Sequence, residues 1–181
     1  WVLYTMEAMA ILPEKLDAGL VCFYLFNIVH LKEGEGIFQD AGIPHAYLRG
    51  QNVELMACSD NVIRGGLTPK YVDIVELLKI VDCREVTPQI ISAASQNQSE
   101  FTYKTPVNDF ALAQIRVEPQ QHTELNLQSA GILLVMQGEL KIQEKSTALT
   151  LKQGESAFIT ADSNVEIMSE KGGYAFLAKL P

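Results

Sequence analysis

The feature that most constrains the fold is a series of short β-rich runs in the second half of the chain, divided by turn residues such as Gly138, Gly154 and the Gly172–Gly173 pair. Many short strands at close spacing, with no helical pattern between them, are typical of a small sandwich or barrel. After Pro106 the sequence predicts strands at Phe110–Val117, Gly131–Met136, Leu140–Gln143, Ala148–Leu151, Ser156–Ile159, Val165–Met168 and Tyr174–Leu180.

The first half of the chain has a less regular pattern. Trp1–Leu12 is compatible with a short helix that ends before Pro13, because proline disfavours helical geometry in the residue before it. Leu16–Leu31 is dominated by Val, Phe, Tyr, Leu and Ile, which favours one or two strands. Shorter strand candidates follow at residues 36–38, 46–48 and 52–57.

A helix start is predicted at Thr68-Pro69-Lys70. Threonine is a suitable N-cap, proline is favoured at the first helical position, and apolar residues recur at helical spacing as far as about Val81. The polar segment Pro88–Thr105 that follows is interpreted as a connector. These signals divide the chain into residues 1–66, 67–105 and 106–181.

An internal repeat relates the two β-rich parts. Residues 31–41 (LKEGEGIFQDA) and 151–161 (LKQGESAFITA) align without gaps at an offset of 120, with six identities in eleven positions. Both copies predict a tight turn at glycine and a following strand that packs its phenylalanine inward. In this register His45 corresponds to Val165, so only the first copy carries a potential metal ligand there. We therefore expect residues 106–181 to superpose on the half that contains residues 20–57.

Charge and composition exclude some classes of function. The 181 residues include 14 basic and 22 acidic ones, a net charge of −8, which disfavours nucleic acid as a partner. The longest apolar run, Leu20–Val29, is about half of a membrane span, so neither a membrane segment nor a signal peptide is predicted.

Cys22, Cys58 and Cys83 form no CxxC motif, which favours a reducing, cytoplasmic setting. Because the first residue is Trp1 rather than Met, the chain is interpreted as processed or as part of a longer protein.

Residues 44–70 concentrate the side chains that carry chemistry. Alternation along a strand places His45 and Tyr47 on one face. Glu54 lies between Val53 and Leu55, and an inward glutamate in an apolar strand needs a partner. These three side chains predict a polar site at the rim of a β-barrel.

Two cations complete this candidate site. Arg64 precedes a pair of glycines, where backbone and ligand approach closely. Lys70 lies in the predicted first turn of the helix, whose free N–H groups favour an anion. Ordinary structural explanations also exist: a lone strand histidine is more often structural than a ligand, Arg64 has Asp60 four residues away as an ion-pair partner, and Lys70 fits a solvated charge.

The segment PHAYLRGQNVELMACSDNVIRGGLTPK, residues 44–70, resembles the characteristic segment of type I mannose-6-phosphate isomerases, also called phosphomannose isomerases. The likeness continues upstream through LDAGL and LKEGEGIF, and downstream through the helix and the β-rich tail. It implies a mainly β, cupin-like (jelly-roll) fold of double-stranded barrels, one partial and one complete, with a connecting helix. Residues 1–66 are then the C-terminal part of a catalytic cupin domain, 67–105 a helix and linker, and 106–181 a second, non-metal cupin domain.

The resemblance also implies roles for individual residues. His45 matches one ligand of the family's single zinc ion, whereas the family's Gln-x-His motif and its glutamate ligand have no counterpart in this chain. Arg64 matches the family's catalytic arginine. Tyr47, Glu54 and Lys70 match residues that contact the substrate. We therefore expect this chain to lack the N-terminal part of the site.

The implied reaction is the interconversion of mannose 6-phosphate and fructose 6-phosphate, small sugar phosphates, by proton transfer between C1 and C2 through an enediol. Zinc acts there as a Lewis acid, and an arginine adds fixed positive charge near the reacting oxygens. The resemblance places the general base in the portion that this chain lacks, or in a metal-bound water. One alternative is a non-catalytic sugar-binding or regulatory cupin protein in which His45 and Arg64 are remnants. A stand-alone cupin oxygenase or epimerase is disfavoured, because no His-x-His pair is present.

Overall fold

The structure, a computed structural model, describes residues 1–59, 61–95 and 99–181. The described chain divides into two compact units. Unit 1 contains residues 1–32, 37–52 and 58–90, and unit 2 contains residues 33–36, 53–57 and 91–181. The three-part domain division of the sequence analysis stays a prediction.

Short helices precede a long series of strands. In chain order the elements are α1 (Val2–Ala8), a 3₁₀ helix (Ala18–Val21), α2 (Cys22–Leu25), β1 (Glu35–Ile37), α3 (Ile74–Ile80), β2 (Ile90–Ser92), β3 (Ala94–Ser95), β4 (Glu100–Tyr103), β5 (Ala111–Val117), β6 (Gln121–Leu127), β7 (Gly131–Gln137), β8 (Glu139–Glu144), β9 (Thr147–Lys152), β10 (Ser156–Ile159), β11 (Ser163–Ser169) and β12 (Gly173–Lys179).

Unit 2 is a sandwich of two antiparallel sheets. One sheet has the strand order β10-β7-β12-β5-β4-β3, and the other has the order β6-β11-β8-β9. The order of β5 to β12 across the two sheets is that of a jelly roll, built from two Greek keys. The predicted mainly β, jelly-roll fold is therefore confirmed.

Alternating apolar side chains on the strands form the core between the two sheets. Successive side chains of a strand point to opposite faces, and β7 buries Leu133 and Val135 while leaving Ile132 exposed. In the facing sheet, β11 buries Val165 and Ile167 in the same way. The inward residues of both sheets form one continuous hydrophobic cluster. Burial of such side chains contributes roughly 1.5–3 kcal/mol each, which makes this cluster the main source of stability in unit 2.

Leu133→Ala should lower the free energy of unfolding by about 2–5 kcal/mol, because it removes a fully buried side chain and leaves a cavity. Ile132→Ala is the matched control, since its side chain is 52% exposed on the opposite face of the same strand. Ile132→Ala should lower the free energy of unfolding by less than about 1 kcal/mol. Urea denaturation of both variants makes the comparison, and equal losses would contradict the assignment of faces.

The strands predicted after Pro106 are all present, and the structure contains further strands that the sequence analysis did not predict, among them β4 and β6. Strand β6 pairs with β11 along its whole length. Strand β4 pairs with β5 in the other sheet. The segment Pro88–Thr105, interpreted as a connector, thus contains strands, and one of them, β4, extends the sandwich.

Tyr103 at the end of β4 links this strand to the turn before β1. Its ring is buried, with 7% exposure, and its hydroxyl donates a hydrogen bond of 3.0 Å to the carbonyl oxygen of Gly34. Burial raises the pKa of Tyr103 above 10.0, the nearby Arg116 guanidinium lowers it in part, and Tyr174 adds to the rise. The neutral phenol is thus the form that the folded state prefers.

Tyr103→Phe should lower the free energy of unfolding by about 1 kcal/mol through loss of this hydrogen bond. Because the pKa is higher in the folded state, the stability from Tyr103 is complete below pH 10.0 and declines as the pH rises further. The variant should therefore lose stability less steeply with pH above that value. Tyr24→Phe, at a residue 79% exposed, is the control. Identical alkaline slopes in wild type and Tyr103→Phe would refute the assignment.

Unit 1 is built differently. Among its described residues, Leu20 is the one buried hydrophobic side chain. The predicted helix in Trp1–Leu12 is confirmed as α1. The strands predicted within Leu16–Leu31 and at residues 46–48 and 52–57 are not formed; the first region holds a 3₁₀ helix and α2 instead. An apolar run alone does not distinguish a strand from a helix, and a strand needs a partner to pair with.

The internal repeat is local. Gly34 and Gly154 have nearly the same backbone, with φ of 81° and 84°, and a strand follows each turn. Residues 20–57 nevertheless contain β1 as their one described strand, so the predicted superposition on residues 106–181 is wrong. Phe158 is 68% exposed, which corrects the prediction that it packs inward.

Among the described residues, no helix combines the length and the apolar character that crossing a bilayer requires.

Candidate functional site

His45 and Tyr47 lie together in unit 1, as predicted, although on a loop and not on a strand. Their ring centroids are 6.3 Å apart at an interplanar angle of 67°. His45 Nδ1 lies 3.0 Å from the carbonyl oxygen of Ile43, so the Nδ1–H tautomer donates to that oxygen. Both side chains are exposed. This orientation leaves Nε2 available as an acceptor or metal ligand, the usual arrangement of a ligating histidine.

Glu54 is exposed and lies in unit 2, within the short stretch 53–57. The sequence analysis placed it in an apolar strand, but its segment is not a strand. Because it is exposed, its carboxylate is solvated and does not need a buried partner. Its role at the substrate stays a prediction.

Arg64 and Lys70 are exposed residues on the loop that precedes α3. Within the described part of the chain, neither side chain takes part in an ion pair. Asp60, the proposed partner of Arg64, lies outside the described residues. Two cationic side chains thus lie three residues on either side of Leu67, in a chain of net negative charge.

The predicted start of the helix is wrong by one and a half turns. Asp73 is the N-cap of α3, and its carboxylate accepts from the Glu76 N–H at 3.0 Å. Thr68 Oγ1 accepts from the Lys70 N–H at 3.2 Å, which forms a local turn before the helix. Lys70 therefore lies outside the first helical turn, and the argument that helix N–H groups assist it in binding an anion no longer applies.

The sequence analysis gave no role to Asp17, although its carboxylate accepts two backbone hydrogen bonds. Oδ1 accepts from the Gly19 N–H at 2.7 Å, and Oδ2 accepts from the Leu67 N–H at 3.1 Å. The Asp-x-Gly spacing signals the first bond, since aspartate commonly accepts from the residue two positions on. The second bond joins residues 50 positions apart and has no local sequence signal.

A shallow cavity of about 260 Å³ lies in unit 2, at the end of β6 and the start of β11. None of the predicted site residues lines it. Its lining residues are Asn126, Leu127, Gln128, Asp162, Ser163 and Asn164.

The described residues do not by themselves fit a zinc ion. Protein zinc sites use three or four ligands from Cys, His, Asp and Glu. The described residues contain no group of three such side chains placed to hold a metal. The Nδ1 hydrogen bond of His45 suits a zinc ligand. The family's other ligands, however, come from a Gln-x-His motif and a glutamate that have no counterpart in this sequence.

The 181-residue chain should therefore bind zinc weakly, with clearly substoichiometric zinc after dialysis. Metal analysis of the wild type and of His45→Ala measures this, with His122→Ala as a control for nonspecific imidazole binding. About one tightly held zinc per chain would show that a full ligand set of three or four exists here after all.

Comparison with known sequences identifies relatives. The family described as "Mannose-6-phosphate isomerase, cupin domain" matches residues 99–171. Mannose-6-phosphate isomerase of Salmonella typhimurium is 42% identical over 149 residues, which are 82% of this chain and 38% of the relative. The Escherichia coli enzyme is 42% identical over 154 residues, with 84% and 38% coverage. The human one is 38% identical over 160 residues, with 83% and 38% coverage.

Solved structures give the same result. A lysine-to-alanine mutant of phosphomannose isomerase from Salmonella typhimurium matches with a TM-score of 0.81 and 35% identity, covering 99% of this chain and 45% of that one. Mannose 6-phosphate isomerase from the same organism, bound to substrate (fructose 6-phosphate) and zinc, matches with a TM-score of 0.76 and 33% identity, covering 99% and 49%. This chain thus spans well under two thirds of the length of its relatives.

Proposed function

Because this chain belongs to the mannose-6-phosphate isomerase family, we propose that it forms part of an enzyme that interconverts mannose 6-phosphate and fructose 6-phosphate. The observation that carries the proposal is the extent of the sequence match. An alignment that covers 82% of 181 residues spans about 148 of them, and any continuous span of that length must include residues 34–148. The segment 44–70, which holds every candidate site residue, therefore lies inside the match.

Arg64 is proposed to stabilise the negative charge that develops as the proton moves between C1 and C2. Its guanidinium keeps its charge at all physiological pH values and offers five N–H donors in a planar fork. The side chain is exposed and forms no ion pair within the described part of the chain, so its donors are available to a ligand. Fixed positive charge placed where an oxyanion forms is a major source of rate enhancement.

The other candidate residues are proposed to hold the substrate. Lys70 supplies a second exposed positive charge, which suits the phosphate group or an ionised hydroxyl of a sugar phosphate. Tyr47 offers a phenolic hydroxyl next to the His45 ring, and Glu54 offers an exposed carboxylate that accepts from sugar hydroxyls.

Zinc is proposed as the cofactor of the active protein, with His45 as one ligand. The support is the zinc-bound relative together with the Nδ1 hydrogen bond to Ile43, which leaves Nε2 available as a ligand. Since the described residues hold no complete ligand set, this chain would contribute one zinc ligand, His45, together with its own cations and hydrogen-bonding groups. A reducing, cytoplasmic setting is also proposed, because Cys22, Cys58 and Cys83 are free thiols.

A chimeric enzyme tests the function. In the Escherichia coli mannose-6-phosphate isomerase, the matched segment, 38% of its length, is replaced by this chain. Isomerase turnover of mannose 6-phosphate by the zinc-loaded chimera is the expected result. A folded, zinc-loaded chimera that binds the sugar phosphate without turnover would refute catalysis and favour the non-catalytic sugar-binding alternative.

Arg64→Ala in this chimera should lower kcat by about 10²–10³, with a much smaller change in KM, because the contact strengthens as charge builds on the enediol oxygens. Arg64→Lys should not restore the rate, since it loses the planar fork. Zinc content, measured on the same samples, should stay unchanged. A near-normal kcat would show that Arg64 has only a structural role, and loss of zinc would show that it supports the metal site instead.

A further inference from the structure

Leu67, midway between the two proposed substrate cations, has an unusual backbone conformation. Its φ is +49°, in the left-handed region that residues other than glycine seldom adopt. Gly66 before it has a φ of +153°. Such conformations persist only where the surrounding structure holds them, and they occur often at functional sites.

The Asp17 carboxylate supplies that support. It is partly buried, and it bridges the Gly19 N–H at 2.7 Å and the Leu67 N–H at 3.1 Å. Hydrogen bonds to a charged acceptor are roughly twice as strong as neutral ones. The carboxylate therefore holds the N–H of Leu67, the non-glycine residue in the left-handed conformation.

Close packing of two glycines completes the contact. A Cβ atom added at Gly19 would lie 2.9 Å from Leu67 Cγ, closer than side chains pack. A Cβ atom added at Gly66 would lie 3.2 Å from Asp17 Oδ1 and 3.4 Å from Gly19 Cα. The backbones at residues 17–19 and 66–67 therefore approach too closely for a Cβ atom at Gly19, and a Cβ atom at Gly66 would be tight. We call this contact the Asp17 clamp.

We propose that Asp17 is a positioning residue that sets the placement of Arg64 and Lys70 through the backbone of Leu67. This inference rests on the proposed function, which gives the two cations their roles. Each cation is three residues from Leu67, a reach of up to about 10 Å of chain, so a change of backbone direction at Leu67 moves both. The Thr68 hydroxyl, which accepts from the Lys70 N–H at 3.2 Å, orders the segment from Leu67 to Lys70.

The first test is independent of activity. In the 181-residue chain, the Leu67 amide should be protected from hydrogen exchange, and Asp17→Asn should reduce that protection at least 10-fold. Asparagine keeps the size of aspartate but turns an NH₂ group toward one of the two N–H donors. Asp82→Asn is the matched control, since Asp82 accepts from the Arg84 N–H over two residues at 3.0 Å. An unprotected Leu67 amide in the wild type would overturn the proposal.

The second test is kinetic and uses the active chimera. Asp17→Asn should lower kcat about 10- to 100-fold, because small misplacement of a catalytic group costs rates of that size. Asp82→Asn should leave kcat within about twofold.

Rescue separates positioning from general destabilisation. Glycine adopts a left-handed φ without strain, so adding Leu67→Gly to Asp17→Asn should raise kcat severalfold above that of the single variant. If Asp17 only stabilised the fold, loss of the half-buried Leu67 side chain would make the double variant worse. A normal kcat in Asp17→Asn, or no rescue, would overturn the proposal. An inactive parent chimera would reject the proposed function and this positioning role with it, while amide exchange would still decide whether the clamp itself exists.

Discussion

The burial of alternating side chains between two sheets is the interaction on which unit 2 depends. Ile115, Leu133 and Ile167 are fully buried there, and the jelly-roll order of the strands follows from the need to cover both faces of that core. Unit 1 has no comparable layer, since Leu20 is its one buried hydrophobic among the described residues. Its long-range order therefore relies more on polar contacts, such as the Asp17 clamp and the bond of 2.8 Å from Asn27 to the Val86 carbonyl.

The two units consequently differ in how far the sequence predicts them. The sandwich strands were predictable because a two-residue alternation is local and recurs with regular turns. Strand β6 was missed because Gln121, His122 and Glu124 make it look polar. Its inward set of Thr123, Leu125 and Leu127 nevertheless keeps the period of two. The alternation of buried and exposed positions thus indicates strand β6 more clearly than its fraction of apolar residues does.

In unit 1 the local signals competed, and the structure settled them by hydrogen bonding. Thr68-Pro69 was the predicted helix start, but Asp73 caps α3, whereas Thr68 closes a turn. The apolar run after Leu16 starts with Asp17, whose carboxylate accepts from the Gly19 N–H and turns the chain into a 3₁₀ helix. Proximity of His45 and Tyr47 was predicted from strand alternation, and the two rings do lie close together, but on a loop.

The position of Leu67 was not predictable, because its partner is 50 residues away and its φ is a tertiary effect. This has a consequence for how the candidate site holds its geometry. His45, Arg64 and Lys70 all belong to unit 1, and none lies on a strand or helix. Loops that carry function normally take their precision from a rigid scaffold. For Arg64 and Lys70 we propose that this precision comes from backbone hydrogen bonds to two side-chain acceptors, the Asp17 carboxylate and the Thr68 hydroxyl. Such bonds constrain the direction of the backbone, so their loss is expected to change where a charge is placed.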